Sequence, residues 1–453
     1  MKNSKVTALC LFLLGCSFAG AEAATPPNIV LIISDDQTWT DYGFMGHPQI
    51  KTPNLDKLAA QSVVFERGYV PTALCRPSLA TLVTGHYAHQ HGVTGNDPSP
   101  KYARRDSEPY NKRRAKLITY LDQFDTLPER LAKRGYLSHQ SGKWWEGSYQ
   151  HGGFTHGMTR GFPKPGGRHG DDGLKIGRKG MQPIEEFVDH SVAEKKPFFL
   201  WYGVFLPHTP HNPPERILKK YKNQDLALPV AKYYANCEWF DETCGQLIDI
   251  LEKRNLRDDT LIVYVTDNGW ISRTDRSGYA PRSKQSPNEG GTRTPIMFSW
   301  PNGGLKPVKR PEVVSSIDLF PTVLAAAGAR IPDDVPGLNL LTNLQKKQPI
   351  KRSGIFGEGF AHDIADIEDP EASLLYRWRI EGKWKLLLTY DGEVNRYKSS
   401  HPRTEKRPQL FDLLEDPHEK VNLAGRHPEV VADLAAKIAA WWPVKKRQVV
   451  TKY

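Results

Sequence analysis

Two apolar runs, at residues 28–34 and 260–266, constrain the fold of this chain more than any other feature. They read N-I-V-L-I-I-S and T-L-I-V-Y-V-T, and both are continuous and rich in β-branched side chains. A run of this kind is typical of a strand that is buried on both faces of a parallel sheet. The sequence therefore predicts a parallel sheet with both faces covered.

Each run ends in a pair of oxygen-bearing side chains. Asp35 and Asp36 follow the first run, and Asp267 and Asn268 follow the second. In open α/β sheets, ligands bind at the carboxyl ends of the strands, and hard oxygen ligands suit calcium or magnesium better than zinc. We interpret the four residues as a candidate metal site. The alternative is a pair of solvated turns, since aspartates often begin loops.

Residues 71–85, P-T-A-L-C-R-P-S-L-A-T-L-V-T-G, predict a short helix. Leu79, Leu82 and Val83 have the i, i+3, i+4 spacing of one buried face, and a glycine follows where a helix would end. Cys75 then lies at or just before the helix N-terminus, where unpaired N–H groups and the macrodipole favour an anionic substrate. The alternative is a cysteine that merely packs beneath the start of the helix.

Two further cysteines, Cys237 and Cys244, lie on a predicted helix together with the apolar side chains of one face. Seven residues along a helix span about 10 Å, which is too far for a disulfide. We interpret both as small hydrophobic core residues. Of the cysteines that follow residue 23, only Cys75 then needs a functional explanation.

The stretch C-R-P-S-L-A-T-L-V-T-G at residues 75–85 resembles the signature of the type I, formylglycine-dependent sulfatases, a family of the alkaline-phosphatase-like superfamily. In that family the cysteine is oxidised to the aldehyde formylglycine by a formylglycine-generating enzyme. Six other segments resemble the family in the same order along the chain: N-I-V-L-I-I-S-D-D, G-K-W, P-H, V-T-D-N-G, K-Q-S-P-N-E-G-G-T-R-T-P and L-F-D-L-L-E-D-P-H-E-K-V-N-L.

The resemblance implies an alkaline-phosphatase-like α/β fold, with a large mixed sheet sandwiched by helices and a smaller C-terminal antiparallel α+β subdomain. The sequence beyond about residue 345 agrees, because alternating runs there flank a hairpin turn at Glu381 and Gly382. We predict a catalytic sulfatase domain at residues 24–345 and the C-terminal subdomain at residues 346–453.

Transferred residue by residue, the resemblance implies a calcium ion held by Asp35, Asp36, Asp267, Asn268 and the modified Cys75. Lys143 and Lys284 would hold the sulfate oxygens, and His208 would lie beside the leaving-group oxygen. Cations must cancel the charge of a sulfate ester before a nucleophile can approach. Hydrated formylglycine would attack sulfur with one hydroxyl and expel sulfate by deprotonation of the other.

Two positions depart from the pattern of the family. Leu79 stands where the family usually has an arginine, and Trp145 stands where it tends to have a histidine that assists the release of sulfate. Arg76 is a candidate to replace the arginine if its side chain turns inward. Four histidines are candidates for the second role, and the sequence does not choose among them: His89, His91, His151 and His156.

The loop at residues 147–180 is rich in glycine, histidine, arginine and lysine, with little periodicity. A loop of that length in a compact domain usually carries a function or is disordered. We predict that it shapes substrate choice, through Arg168 and His169 among others. Residues 98–116 are polar and basic, and we interpret them as a surface excursion.

The first residues predict export. Lys2 and Lys5 precede a mostly apolar stretch, and A-E-A at residues 21–23 matches a cleavage site, so residues 1–23 are interpreted as a signal peptide. The alternative is a lipoprotein signal with Cys16 as the lipidated residue. The apolar stretch is too short for a comfortable transmembrane helix, so we predict a periplasmic or secreted protein without a transmembrane segment.

The net charge of +11 would attract polyanions, whether nucleic acid, anionic lipid or acidic polysaccharide. The sequence has no zinc-finger spacing, heptads or internal repeats, so only the charge favours nucleic acid, and we predict none as a partner. The leading hypothesis is an exported sulfatase that acts on a sulfated carbohydrate. The alternatives are a phosphate or phosphonate ester hydrolase of the same superfamily and a non-catalytic relative that binds sulfated glycans with Cys75 unmodified.

Overall fold

The computed structural model describes residues 26–100, 104–390 and 407–446. The predicted signal peptide, residues 1–23, and the alternative lipidation site Cys16 lie outside the described residues. The strands within the described ranges are β1 (Asn28–Ser34), β2 (Val63–Tyr69), β3 (Asp97–Pro98), β4 (Leu137–Gly142), β5 (His156–Gly157), β6 (Phe198–Gly203), β7 (Thr260–Thr266), β8 (Arg293–Ser299), β9 (Val308–Arg310), β10 (Val314–Ser315), β11 (Ile355–Phe360), β12 (Asp363–Ile364), β13 (Leu374–Glu381), β14 (Trp384–Thr389) and β15 (Gln409–Asp412).

Nine of these strands form one large mixed sheet, in the spatial order β10-β2-β8-β7-β1-β6-β4-β5, with β9 beside β2. The central strands β7, β1, β6 and β4 are parallel to one another. Strand β8 is antiparallel to both of its neighbours, β7 and β2. The large mixed sheet expected from the sequence is therefore confirmed.

Strand β1 shows why its sequence is apolar at every position. Ile29, Leu31 and Ile33 pack into one hydrophobic core, whereas Val30 and Ile32 pack into the core on the opposite face of the sheet. Successive side chains of a strand point to opposite faces, so a strand covered on both sides needs apolar side chains throughout. The same reasoning applies to β7, which is buried along its whole length.

Helices cover both faces of this sheet. One core includes side chains of α2, α5 and α10, and the other includes side chains of α1, α6 and α8. The predicted sandwich of a sheet between two helical layers is therefore confirmed. The helices within the described ranges are α1 (Pro53–Ala60), α2 (Cys75–Thr84), α3 (Ala88–His91), α4 (Glu108–Ile118), α5 (Leu127–Ala132), α6 (Gln182–Ala193), α7 (Glu215–Lys222), α8 (Leu228–Glu252), α9 (Glu289–Thr292), α10 (Leu319–Ala326), α11 (Leu341–Gln345) and α12 (Pro428–Trp441).

A second, smaller sheet contains four antiparallel strands in the order β11-β13-β14-β15. Strands β13 and β14 form the expected hairpin, in which Glu381 pairs with Trp384. Leu434 and Ile438 of α12 share a hydrophobic core with Leu386 of β14. The antiparallel C-terminal sheet with its helix agrees with the α+β arrangement expected from the sequence.

Two other expectations have clear outcomes. Cys237 and Cys244 are free and fully buried on α8, as the spacing predicted.

The interpretation of residues 98–116 as a surface excursion is wrong in part, because α4 begins at Glu108 and buries the side chain of Arg114. No helix in the described ranges is both long enough and apolar enough to cross a lipid bilayer.

Candidate active site

The candidate site lies at the carboxyl ends of four neighbouring parallel strands, β7, β1, β6 and β4. Ser34 at the end of β1 pairs with Thr266 at the end of β7, so Asp35 and Asp267 leave the sheet side by side. Lys143 directly follows β4. The parallel arrangement thus brings residues that are far apart in sequence to one edge of the sheet.

Gly142, the last residue of β4, is required by the close approach of β6. Its φ is +88°, and a Cβ atom there would lie 2.0 Å from the carbonyl oxygen of Gly203. Glycine tolerates both the left-handed conformation and this contact because it lacks a Cβ atom. Lys143 follows at once, and its Nζ atom lies 2.8 Å from Oδ1 of Asp35.

The acidic cluster, defined as Asp35, Asp36, Asp267 and Asn268, contains buried oxygen atoms that lack a hydrogen-bond partner among the described residues. Asp267 Oδ1 accepts from the backbone N–H groups of Asp36 and Asn268, at 3.0 and 2.6 Å. The side-chain Nδ2 of Asn268 donates to Oδ1 of Asp36 at 2.6 Å. The atoms that remain without a partner are Asp35 Oδ2, Asp267 Oδ2 and Asn268 Oδ1.

Three oxygens without partners, one from each of three neighbouring side chains, fit a hard cation. Buried polar atoms are almost always satisfied, so each exception needs an explanation. Carboxylate and amide oxygens are the ligands that Ca²⁺ prefers, and Mg²⁺ also binds oxygen. A partly different group of ligand atoms, from Asp35, Asp36, Cys75 and His208, lies within 4.8 Å of one another, a spacing at which these atoms could hold a metal ion.

The charges of the acidic cluster also favour a cation. Burial raises the pKa of Asp35 well above its usual range and raises that of Asp267, while Lys143 acts in the opposite direction on both. Three carboxylates face two buried ammonium groups, Lys143 and Lys284, so the ionised site carries a net charge of −1. A divalent cation would change that charge to +1, which attracts an anionic substrate.

Lys284 links the acidic cluster to the candidate nucleophile. Its Nζ atom donates to both carboxylate oxygens of Asp36, at 2.6 and 2.8 Å, and lies 3.1 Å from Sγ of Cys75. Burial opposes the charge of Lys284, but Asp36 and its acidic neighbours raise the pKa of the ammonium group well above its usual range. Lys284 is therefore a fixed positive charge beside residue 75.

Cys75 is the first residue of α2, and its side chain is fully buried. Burial raises the pKa of the thiol to about 12, although Lys143 and Lys284 act in the opposite direction. A thiol with this pKa is protonated at neutral pH and is a poor nucleophile. The unmodified cysteine is thus well placed for attack on an anionic substrate but chemically unsuited to it.

His208 lies in the loop that follows β6. Its Nδ1 atom is 2.6 Å from the carbonyl oxygen of Thr209, which can only accept, so we assign the proton to Nδ1. Nε2 then faces Oδ2 of Asp36, at 3.4 Å. Burial, with the nearby Lys143 and Lys284, lowers the pKa of His208 well below its usual range, so the imidazole is neutral at rest.

All the site residues expected from the sequence lie in this one cluster. They are joined by the hydrogen bonds and ion pairs given above, and they come from strand ends, from the start of α2 and from the loop before α9. The residues brought together are Asp35, Asp36, Cys75, Lys143, His208, Asp267, Asn268 and Lys284.

The two departures from the family pattern have a structural explanation. Leu79 packs into the main hydrophobic core. Arg76 does turn inward, but it pairs with Glu146 through two contacts, Nε–Oε1 at 2.7 Å and Nη2–Oε2 at 2.6 Å. Its backbone N–H donates to the side chain of Asn96 at 3.1 Å. Arg76 therefore anchors the first turn of α2, and its guanidinium is already committed to Glu146.

Among the described residues, the rings of the four histidine candidates contact groups outside the acidic cluster. His89 bonds to Glu358 and stacks on Trp442, and His91 contacts Thr81. His151 bonds to the Glu146 carbonyl and pairs with Asp122, and His156 contacts Thr155 and lies near His190. The ring that packs on Trp145 is instead that of His169, with 5.2 Å between centroids.

The sequence patterns did not single out Asp97, Arg114 or Glu146, although all three are buried. Asp97 pairs with Arg114, which comes from the segment interpreted as a surface excursion. A signal for the burial of Arg114 exists, because it stands four residues after Tyr110 and three before Leu117, on one helix face. No local pattern indicates the partner of Glu146, since 70 residues separate it from Arg76.

Comparison with protein families gives two matches. The family model described as Sulfatase matches residues 27–329. The model described as N-sulphoglucosamine sulphohydrolase, C-terminal, matches residues 283–441. Among curated proteins, the chain is 30% identical to arylsulfatase A of Bos taurus, over 92% of this chain and 87% of that protein. It is 27% identical to N-acetylgalactosamine-6-sulfatase of Homo sapiens, over 89% and 82% of the two chains.

Solved structures share the fold. The structure named Ps i-CgsB matches with a TM-score of 0.71 and 25% identity, over 92% of this chain and 93% of that one. A phosphonate monoester hydrolase of Agrobacterium radiobacter matches with a TM-score of 0.64 and 20% identity, over 94% of this chain and 100% of that one. The second likeness concerns the fold alone.

Proposed function

The chain belongs to the sulfatase family, whose members are sulfuric ester hydrolases, and we propose that it is an exported sulfatase that removes sulfate from a sulfated carbohydrate. The proposal includes a formylglycine made from Cys75 by a formylglycine-generating enzyme, and a calcium ion in the acidic cluster. One relative, N-acetylgalactosamine-6-sulfatase, is named for a sulfated amino sugar, which supports a carbohydrate substrate.

The observation that carries the proposal is a set of three buried oxygens without a hydrogen bond, in the cluster that also contains Cys75. Asp35, Asp267 and Asn268 each direct one buried oxygen without a hydrogen bond. Cys75 lies 3.1 Å from the ammonium group of Lys284, in the same cluster. A cation site, a fixed ammonium group and a residue at a helix N-terminus together suit the cleavage of an anionic ester.

Formylglycine would supply a geminal diol as the nucleophile, and calcium would supply a Lewis acid. The residues of the chain prepare the site for the ester. Lys143 and Lys284 hold their ammonium groups against Asp35 and Asp36, from which they can also donate to sulfate oxygens. Since all four side chains are buried, these charges act in an environment of low dielectric constant and little competing water.

His208 is proposed to protonate the oxygen of the leaving alcohol. Because Nδ1 is held by the Thr209 carbonyl, Nε2 is the nitrogen that can exchange a proton with the substrate. A bound anion beside Nε2 would favour the protonated form of the imidazole. The proton matters most for a sugar alcohol, because an alkoxide is a poor leaving group.

A sulfate ester would neutralise the charge of the proposed site. With a divalent cation the three carboxylates and two ammonium groups would carry a net charge of +1. A sulfate monoester carries one negative charge, whereas a phosphate monoester carries nearly two at pH 7. Phosphate or phosphonate ester hydrolysis stays the second candidate, because the fold is shared with a phosphonate monoester hydrolase.

The domain division and the location of the protein are part of the same proposal. We propose that residues 24–345 form the catalytic domain and residues 346–453 the C-terminal subdomain. We further propose that the protein acts in the periplasm or outside the cell after removal of residues 1–23. The third candidate, a non-catalytic glycan-binding relative, is opposed by the acidic and cationic side chains that the chain retains in the cluster with Cys75.

The replacement Asp267→Asn tests the metal site and the reaction together. It removes one charge and one ligand oxygen, so we expect loss of the bound calcium and of sulfate ester hydrolysis. Metal content of the purified protein and turnover of matched aryl sulfate, phosphate and phosphonate esters are the measurements. The control is Asp241→Asn, which changes a buried carboxylate that bonds to α1 through the backbone N–H of Leu55, at 2.7 Å.

We expect Asp241→Asn to keep its calcium and its preference for sulfate esters. Full turnover by metal-free wild-type protein would contradict the calcium proposal. Faster turnover of the phosphate or phosphonate ester than of the sulfate ester would contradict the sulfatase proposal in favour of the second candidate.

A further inference from the structure

A group of three guanidinium ions surrounds one buried carboxylate next to the candidate active site. Asp97 accepts from Nε of Arg168 at 3.0 Å and from Nη2 of Arg105 at 3.4 Å, and it also pairs with Arg114. Burial alone would raise the pKa of Asp97, but Arg168 and Arg114 hold it well below its usual range. We call these four residues the guanidinium cluster.

The guanidinium cluster borders the site on the side of Lys143. The guanidinium carbon of Arg168 lies 4.7 Å from the ring centroid of Trp145, two residues after Lys143. The backbone N–H of Trp144 donates to the carbonyl oxygen of His169 at 3.1 Å. These contacts hold the loop segment that carries Arg168 against the chain that positions the ammonium group of Lys143.

A second path leads from the guanidinium cluster to Cys75. Asn96, which precedes Asp97, accepts the backbone N–H of Arg76 at 3.1 Å, one residue after Cys75. The guanidinium of Arg76 is paired with Glu146, and its charge acts on Asp97 and Arg114 as a neighbour of the guanidinium cluster. The cluster therefore lies next to the nucleophile position but has its own charge balance.

That balance is positive. Arg105, Arg114 and Arg168 carry three charges, while Asp97 supplies one negative charge and Asp363 acts on Arg105 as a second. Donors exceed acceptors here, since Nε of Arg114 in the cluster and Nε1 of the neighbouring Trp145 are buried donors without a hydrogen-bond partner among the described residues. Both groups can only donate. A surplus of charge together with a surplus of donors indicates a place for an anion.

We propose that Arg168 binds a second anionic group of the substrate, an oxyanion that is carried near the sulfate to be removed. This inference rests on the proposed sulfatase function and specifies its substrate class. Arg168 is the accessible member beside Trp145, since its side chain is 36% exposed whereas those of Asp97 and Arg114 are 1% and 2% exposed. Because Nε and Nη2 of Arg168 donate to Asp97, the Nη1–Nη2 edge is the part of its planar fork that can meet a carboxylate or a sulfate group.

The two sources of such an oxyanion are the carboxylate of a uronic acid and a second sulfate. Four synthetic saccharides separate them. The first carries one sulfate only, the second carries a sulfate and a neighbouring uronate, the third is its carboxyl-reduced form, and the fourth carries two sulfates. Their affinities are measured by calorimetry with protein that retains the Cys75 thiol, and kcat/KM is measured with modified protein.

The variant is Arg168→Gln, and the matched control is Arg160→Gln in the same loop. Arg160 is half-exposed and pairs with Asp172 at 3.2 Å. We expect Arg168→Gln to lower the preference for a dianionic over a monoanionic saccharide about ten- to hundredfold, because a charge-assisted hydrogen bond is lost. Arg160→Gln should leave that preference as in the wild type. Arg168→Lys should recover part of it, because it keeps the charge without the planar fork.

The dianionic saccharide that binds more weakly to Arg168→Gln than to the wild type identifies the second anion. If that anion is the uronate, the carboxyl-reduced saccharide should bind the wild type like the monosulfated one. The proposal is overturned if Arg168→Gln weakens all four saccharides by the same factor, or if the wild type shows no preference for a dianion. Failure of the proposed function has a different signature. In that case modified wild-type protein would hydrolyse no sulfate ester, while the affinities would still report on Arg168.

Discussion

At the scale of single residues, the start of α2 owes its polar support to Arg76 rather than to position 79. Leu79 lies in the main core with Leu82 and Val83, where a charged side chain would need a buried partner. Arg76 already has such a partner in Glu146, with both side chains buried. The chain thus places its charged side chain one residue after Cys75 and leaves the following helical turn to apolar packing.

His208 provides the prediction that belongs to this scale. We expect His208→Ala to slow hydrolysis of a sugar sulfate about 10²- to 10⁴-fold, because a poor leaving group depends on general acid help. An activated aryl sulfate, whose phenolate leaves without a proton, should be affected far less. Steady-state kinetics on both substrates give the ratio.

His211→Ala is the matched control, since His211 lies on the same loop and packs on Tyr233 and Trp270. It removes an imidazole without touching the Nε2 position of His208, so the ratio of the two rates should stay at the wild-type value. Equal losses on both substrates in His208→Ala would remove His208 from the role of general acid.

Single residues also show what a sequence can and cannot predict about the site. Asp35 and Asp267 were predictable as neighbours because both follow buried parallel strands, and strand order alone brings such ends together. The pairing of Asp97 with Arg114 and Arg168 was not predictable in this way. The spacing of Tyr110, Arg114 and Leu117 indicates the buried face of the helix, but no periodic signal indicates which carboxylate that face or the loop would meet.

At the scale of elements, α2 ends at a glycine that adopts a left-handed backbone conformation and also leaves room for a neighbouring aromatic ring. Gly85 has φ +74°, its N–H donates to the Thr81 carbonyl at 2.9 Å, and a Cβ atom there would lie 2.7 Å from the ring of Phe320. The sequence predicted the end of the helix at this glycine. It did not predict the contact with α10, because that contact joins distant parts of the chain.

We expect Gly85→Ala to lower the free energy of unfolding by about 2–5 kcal/mol, the sum of a left-handed alanine and an overpacked core. Gly46→Ala separates the two contributions, since Gly46 has φ +91° but open space where a Cβ atom would lie. Its loss should be about 1–2 kcal/mol. Chemical denaturation measures both, and equal losses in the two variants would show that Phe320 moves aside without cost.

At the scale of the whole molecule, a buried ion cluster joins the small C-terminal sheet to the large-sheet region. Lys385 of β14 contacts Glu289 of α9 at 2.9 Å and Glu419 at 3.1 Å, and all three side chains are buried. Without the ammonium group, two carboxylates would face each other in a place that water does not reach. Lys385 therefore contributes to holding the two proposed domains together.

We expect Lys385→Met to lower the free energy of unfolding by about 3–5 kcal/mol, because Glu289 and Glu419 would lose their shorter ion pairs and keep the longer ones, with Arg293 and Arg282. Lys383→Met is the control, as Lys383 is about half-exposed and pairs with Asp412 at 2.6 Å. Its loss should not exceed about 1 kcal/mol, the usual value of an exposed ion pair. Similar stabilities of the two variants, measured by chemical denaturation, would show that Lys385 does not link the domains.

The large sheet and the small sheet were predictable from the hydrophobic pattern of the sequence, because continuous apolar runs indicate fully buried strands and alternating runs indicate half-buried strands. The link between them was not. Glu289 lies in the segment E-G-G-T, which carries no hint of its partner, and Lys385 stands in a strand where a lysine would be expected to face water. Only the packing of the two sheets explains why this lysine is fully buried.

The central claim is that Cys75 acts as formylglycine in the acidic cluster, and mass spectrometry of the peptide that contains it tests this claim most directly. We expect protein from its native host to carry an aldehyde at residue 75, and the sulfatase activity of separate preparations to rise in proportion to the modified fraction. Cys75→Ser serves as the control and should show neither the aldehyde nor comparable activity. A fully active preparation that contains only the unmodified thiol would contradict the account.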